Sequence, residues 1–417
     1  MIKLKAGALQ FTIFVIVIVG ILLATFIIFI YTHNQFHNQS ELLVKTIKNA
    51  DKGVDYLLHN LIDLKYSEPF NLEAENEELI SITTDFWGVY KKVISTSSIK
   101  QNTFNKVALL GFKRSDKDVA LYVEDHNRPL VVVGDTKIIG DAFIPEQGIR
   151  TGNISGNSYY GSQLIYGRSR TIKDFPNLNT EILNQIKHIK DRIKDLDNGY
   201  YLDVEGRRVI EKSFLEPLKA IYKPDVIKLT EISLTGHIVV QSETKIKIDA
   251  SATLHDVILI APQVEIGDNV KGNFQVFASK SLKVGTACNL TYPSVLVLNE
   301  EIKISETSNN ETPVLEIGEG TEVKGSVIFL GESKGYKAQT IIDKNTIITG
   351  EVYCNRNLEL KGIVEGVVLT SSFVANQSGS SYQNHLYNGI IDINKLHDNY
   401  VGITFKDEKR GIVKWLY

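Results

Sequence analysis

From Ala6 to Ser40 the chain carries no Asp, Glu, Lys or Arg, and within that stretch Phe11–Tyr31 reads FTIFVIVIVGILLATFIIFIY. At about 1.5 Å per residue, a helix of this length covers the ~30 Å hydrocarbon core of a bilayer. An uncharged run this long is unusual in a soluble core, so a transmembrane helix is expected over residues 8–32, after a cytoplasmic leader of residues 1–7. A cleavable secretory signal fits less well: its apolar region spans about 7–15 residues and ends in small residues, whereas this run ends in IFIYTHNQ. Lys3 and Lys5 precede the run and the next cation is Lys45. The positive-inside rule then puts the N-terminus in the cytoplasm. The expectation is a single-pass protein of a bacterial inner membrane, with the bulk of the chain periplasmic or extracellular.

Residues 33–68 read as an amphipathic stalk. Leu43, Ile47, Ala50, Val54, Leu57, Leu61 and Leu64 recur at alternating spacings of four and three, and Glu68-Pro69 ends the pattern. Such a stripe packs on the chain's own globular domain or, because its spacing is heptad-like, against other copies. The basic leader MIKLKAG, the apolar ALQFTIFVIVIVGILLATFIIF and the amphipathic continuation resemble the N-terminus of type IV pilin-like proteins. In that family a peptidase cuts after the glycine, and the long helix holds the subunit in the membrane before filament assembly. The resemblance implies cleavage after Gly7 and a role as a minor component of a type II secretion or type IV pilus-like machine. Thr12 is fifth in the mature chain so defined, where most pilins carry a glutamate; Ala8 is first.

Composition narrows the function classes. With 46 Lys and Arg against 49 Asp and Glu, the formal charge is −3, and no cluster of cations provides the footprint that phosphate backbones require. Nucleic acid is therefore not an expected partner. Cys288 and Cys354 form no CxxC motif; they either make one disulfide in an oxidising compartment or remain two buried thiols.

Beyond the stalk, residues 70–170 are mixed, with strand-like FWGVYKKVIS and KVALLGF followed by glycine-punctuated short strands. Residues 171–230 read as a helical insertion: Leu178, Ile182, Ile186, Ile189, Ile193 and Leu196 line one face of a helix over 177–198. Its Lys187, His188, Lys190, Arg192 and Lys194 form a basic face, read as solvated, with an acidic headgroup or glycan as the alternative contact. Residues 237–393 return to strands of four to six residues. Residues 394–417 read as a hairpin in which Trp415 and Tyr417 cap the last turn of the fold.

Repetition decides among β architectures. The pattern apolar, Lys or Thr, Gly, any, apolar occurs at Val270–Phe274, Val323–Val327, Ile348–Val352 and Leu360–Val364. Short strands that each end in a corner residue predict a parallel β-helix, or solenoid, with those eight apolar residues inward. The expected fold class is thus mainly β: an N-terminal transmembrane helix followed by a parallel β-helix with an inserted α-helical segment. The KG-x-apolar and TG-x-apolar units, ELKGIVEGVVLTSS above all, resemble the bactofilin group of polymer-forming proteins, which implies a β-helix that polymerises end to end.

Searching for chemistry yields little. No Asp-Asp pair or Arg-x-Lys lies on a strand, so the acid clusters of polysaccharide lyases and hydrolases are missing. Asp249, Asp256, Asp268 and Asp343 stand singly at turns, where Asp is favoured for backbone reasons. His237, His255 and His385 are catalytic candidates by residue type alone. The sequence therefore points to a non-enzymatic, membrane-anchored scaffold or assembly protein without catalytic residues, metal or cofactor. Its expected partners are the membrane and proteins, including its own copies. A glycan-binding or glycan-cleaving β-helix is the alternative from another class.

Overall fold

The computed structural model describes residues 7–60, 69–72, 78–113, 119–171, 174–194, 196–203, 206, 208–301, 313–332, 335–403 and 409–416. Lys3 and Lys5, Leu61, Leu64, Glu68 and Tyr417 lie outside the described residues.

The apolar run and the described part of the expected stalk form one helix, α1 (Gly7–His59), of 53 residues and about 80 Å in length. It is long and apolar enough to cross a membrane. Leu9 through Tyr31 expose their large apolar side chains, and α1 buries no residue before Thr46. From there Thr46, Asn49, Ala50, Gly53, Val54 and Leu57 are buried, a spacing of three and one that marks one helix face. The predicted stripe thus packs on the chain itself from Ala50 to Leu57, while Leu43 remains exposed.

That face rests on a five-stranded antiparallel sheet of β1 (Phe70–Leu72), β2 (Glu78–Trp87), β3 (Tyr90–Ile99), β4 (Asn102–Phe112) and, at the far edge, Arg410–Leu416. Side chains alternate across a strand, and here both faces are covered. Ala108 and Leu110 of β4 join Ile80, Ile82, Val93, Val54 and Leu57 beneath the helix. Val107 and Leu109 point the other way, into the main core with Trp87 and Tyr90. Burial on both faces explains why KVALLGF shows no polar alternation. The C-terminal segment does not cap the fold as expected. Arg410–Leu416 pairs antiparallel with β4, satisfying an edge that would otherwise be open, and Trp415 lies under the Lys106 ammonium, 4.5 Å from its ring centre.

Everything between β4 and that last strand is an insertion. Phe112 N donates to Gly402 O (2.9 Å), Gly402 N returns a bond to Phe112 O (3.0 Å), and Lys113 N donates to Lys409 O (2.7 Å), so the chain leaves and re-enters the sheet at one place. Most of the insertion's described strands form a closed, mainly parallel sheet. One ladder runs from Lys219–Lys223 to Ile238–Ser242, then through Thr253–Ile266, Lys271–Val284, Asn289–Asn299, Glu322–Leu330, Ile347–Leu360 and Ile363–Gln377. It continues into Val119–Val123, Asp141–Ile144 and Ser169–Thr171. Residues 119–171 therefore extend the far end of the body, where the sequence indicated a separate mixed region. Val209–Lys212, Lys219–Lys223 and Ile227–Leu229 begin the opposite end. The intervening segment travels back along the outside. Phe175 meets Tyr353, Lys190 meets Glu301 and Gln241, and Tyr201 bridges to Ala220.

Among the described residues of that segment only α2 (Thr180–His188) is α-helical, with 3-10 turns at Ile189–Ile193 and Asn198–Tyr200. The Asn179 side chain caps α2 by accepting from Glu181 N (2.8 Å). Leu178, Ile182, Ile186, Ile189 and Ile193 are still buried together. Their common face survives the change of helix type.

Stacking accounts for the glycines. Val323, Gly325 and Val327 align with Ile348, Gly350 and Val352, and these with Val364, Gly366 and Val368. A Cβ on Gly350 would stand 2.0 Å from Gly325 O, and one on Gly366 1.9 Å from Gly350 O. Gly366, not Gly362, is thus the third member, and the unit at Leu360–Val364 belongs to another corner, beside the Asp343 and Thr346 carbonyls. All eight apolar residues of the four units are buried, each contributing about 1.5–3 kcal/mol.

Candidate functional site

Four strands of the sheet grip α1. Gly53 lets α1 approach β3, since a Cβ there would lie 2.1 Å from Ser95 Oγ. On β2, Glu78 pairs with Lys45 and accepts from Asn49 Nδ2 at 2.7 Å; the Lys45 bond, then that from Asn49, holds its carboxyl below the usual range. On β4, Lys106 pairs with Asp51. From the C-terminal strand, Arg410 donates to Leu57 O (3.2 Å) and Asn60 O (3.1 Å), meeting carbonyls that a helix end leaves without partners.

The other face of the sheet is fastened to the parallel body. The tight turn between β2 and β3 needs Gly88, with φ at +63°, and a Cβ there would collide with Gln275. Gln275 Oε1 accepts from Val89 N (3.0 Å) while its Nε2 donates to Trp87 O (2.9 Å). Trp87 Nε1 donates to Asp256 O at 2.9 Å. His237 packs between Trp87 and Phe214, at 4.8 and 5.1 Å between ring centres. Its Nδ1 donates to Glu216 O (2.8 Å), so Nε2 is the acceptor for Lys92 Nζ at 3.1 Å. Burial, then the Lys92 charge, pushes the imidazole pKa down to about 3. Burial also lowers Lys92, opposed by Asp85. Asp85 in turn binds Arg192 at 2.8 Å.

The residues singled out in the sequence divide accordingly. Asp256 is buried, takes both its contacts with Lys414 at 2.7 Å, and accepts from Asn273, which also meets His255 at 2.8 Å. It ties the C-terminal strand to the body and is not a simple turn residue. Asp249 and Asp268 do serve turns, through Ser251 and Thr286, and Asp343 accepts from Lys344 N. His385 bonds Gln383 O beside Tyr382. Lys187, His188, Lys190 and Lys194 of the predicted solvated face are exposed, Lys190 with Glu301 beside it, whereas Arg192 is turned inward to Asp85. Cys288 and Cys354 are both free and buried, which corrects the disulfide alternative: Cys288 lies against Gly267 O and Cys354 against the Thr340 hydroxyl. Desolvation raises both thiols, Cys354 to about 11, so neither is a reactive thiolate at neutral pH.

No sequence motif marks a polar groove of about 470 Å³ near the far end of the body. The turn after Val119–Val123 supplies Glu124 and Asp125, the returning segment Asp174, Phe175 and Asn177, and the strand Ile347–Leu360 supplies Tyr353, Asn355 and Arg356. Behind it Ser371 Oγ donates to Glu124 Oε2 (2.5 Å) and meets His126 Nε2 (2.9 Å). Glu124 approaches that same imidazole nitrogen, at 3.6 Å. This departs from a hydrolytic triad, in which the acid orients the opposite nitrogen from the one facing serine. The network fixes the Glu124 carboxylate in place. Because the groove is lined by three segments distant in the chain, nothing in local spacing could reveal it.

Compared with known proteins, the chain matches no family model, no curated protein and no solved structure.

Proposed function

We propose that this chain is a non-enzymatic assembly subunit, anchored by α1 with its N-terminus in the cytoplasm of a bacterial cell. On this reading the closed parallel body is a bactofilin-like β-helix held outside the inner membrane. One observation carries the reading: α1 is a single helix that buries nothing before Thr46, yet is clamped by β2, β4 and the C-terminal strand thereafter. A helix so fixed sets the body's position relative to the membrane and leaves its upper part open to other helices. Exposed Phe36 and Leu43 lie on that open part.

The continuity of α1 from the apolar run into the amphipathic part also supports the pilin-like variant of this reading, with Gly7 as the cleavage position. Two measurements test the proposal. Phe36→Cys and Leu43→Cys proteins, oxidised in native membranes, should give disulfide-linked species containing a second helix; monomers alone would defeat assembly through α1. The mass of the mature N-terminus separates the variants, since a chain beginning at Ala8 marks a processed pilin-like subunit and an intact leader a signal-anchored scaffold.

A further inference from the structure

We propose that the groove between the 124–125 turn, the returning segment and the strand Ile347–Leu360 binds a neutral oligosaccharide. The inference is independent of the assembly reading and assigns a ligand class to a site that the anchoring does not use. Its volume, about 470 Å³, falls within the roughly 300–1,000 Å³ of small-molecule sites.

The groups that converge there select the ligand. Glu124 and Asp174 offer carboxylate acceptors, Asn177 both a donor and an acceptor, and Arg356 donors. Hydroxyl groups both donate and accept, so a polyol can answer all of these together. Phe175, half-buried and packed on Tyr353 with ring centres 5.8 Å apart, gives the groove an apolar surface suited to the C–H face of a sugar ring. The Arg356 Nη1 donates to Asn355 O at 2.9 Å, which holds the guanidinium in the groove wall.

Charge and geometry argue against other occupants. Three carboxylates, from Glu124, Asp125 and Asp174, face one guanidinium from Arg356, so an anionic ligand would be repelled. Among the described residues no group of three or more His, Cys, Asp or Glu is arranged to hold a metal ion. Asp125 is occupied as well, accepting from Asn127 N and Glu146 N.

The test uses full-length protein in a sugar-free detergent, lauryldimethylamine oxide, titrated with neutral fragments of β-1,4-glucan, chitin, xylan and mannan, with a heparin hexasaccharide and with Ca²⁺. At least one neutral oligosaccharide should bind at one site per chain, and the heparin fragment should not. The double variant Asp174→Ala, Asn177→Ala changes two exposed side chains, so it should unfold at the wild-type temperature while losing about tenfold or more in affinity, as removal of a charged hydrogen-bonding partner implies. Arg356→Gln should lower affinity in the same assay. Failure of every neutral oligosaccharide to bind, binding of Ca²⁺ or heparin alone, or binding that the double variant leaves unchanged would each overturn the proposal.

Discussion

In the antiparallel sheet, neighbours in space are mostly neighbours in the chain: β2 turns at Gly88 into β3, and β3 into β4. In the parallel body, Val368 pairs with Leu121, and Ser169 lies beside Ala142 although the next level of the chain begins at the opposite end. The sheet takes its register from local turns and from two differently buried faces. The parallel strands instead take theirs from contacts with strands more distant in the chain, where aligned glycines let one backbone pass close to the next. Errors should therefore spread differently. A fault in the sheet loosens the helix, whereas a fault in the glycine ladder disturbs every level stacked upon it.

Gly350→Val is the most severe way to probe this contrast. The new Cβ would lie 2.0 Å from Gly325 O with φ at +144°, and the loss should exceed the ~4–5 kcal/mol that marks exceptional substitutions. The cooperative thermal transition of the body should disappear. A wild-type transition in this variant would show that the aligned glycines are dispensable.

Asp256→Ala addresses the seam between the two regions. It leaves Lys414 facing a site from which the carboxylate has gone, and breaking a buried pair costs about 3–5 kcal/mol, with the lower end expected because Lys414 retains 31% side-chain exposure. Chemical denaturation should report that loss, and proteolysis should release the C-terminal strand first.

Gly53→Leu acts on the sheet alone. Its Cβ would meet Ser95 Oγ at 2.1 Å, and overpacking of this kind costs about 1–3 kcal/mol. Hydrogen exchange should rise in α1 between Thr46 and Leu57 while the parallel body keeps its protection; a uniform rise would erase the distinction between the regions.

The His237 side chain offers a gentler probe through pH. Its folded pKa, about 3, lies below the ordinary 6.5, so above pH 6.5 neither state is protonated and nothing is lost. Below that, the unfolded chain binds a proton that the folded chain refuses, and stability falls by about 1.4 kcal/mol per pH unit until the folded value is reached. Between pH 7.5 and 5 the wild type should lose stability more steeply than His237→Phe; parallel curves would show that the imidazole is not the group responsible.

Asp249→Asn and Asp268→Asn should have the smallest effect. Both are exposed turn acceptors whose amide replacements keep an oxygen for Ser251 or Thr286, so the denaturation midpoint should not move measurably.

Several of these features were legible before any fold was known. A charge-free apolar run specifies a helix because an isolated backbone in hydrocarbon must satisfy itself, and the spacing of Ala50, Val54 and Leu57 names the face that is buried. The inward positions of Val323, Val327, Ile348 and Val352 follow from the repeat. Asp249, Asp268 and Asp343 behave as turn chemistry predicts. These are consequences of local periodicity and backbone preference, which a chain carries with it wherever it packs.

Which strands become neighbours was decided only by the tertiary structure. A parallel ladder is held by main-chain groups that are alike at every residue, so the sequence does not state that Val119–Val123 stacks on Ile363–Gln377, or that Arg410–Leu416 completes the sheet of β4. Gly362 and Gly366 lie in similar local patterns, yet only Gly366 sits above Gly350. The Asp256–Lys414 pair, the His237–Lys92 contact and the polar groove all join segments far apart in the chain. Their chemistry depends on proximity, and proximity between distant residues arises only when the body closes.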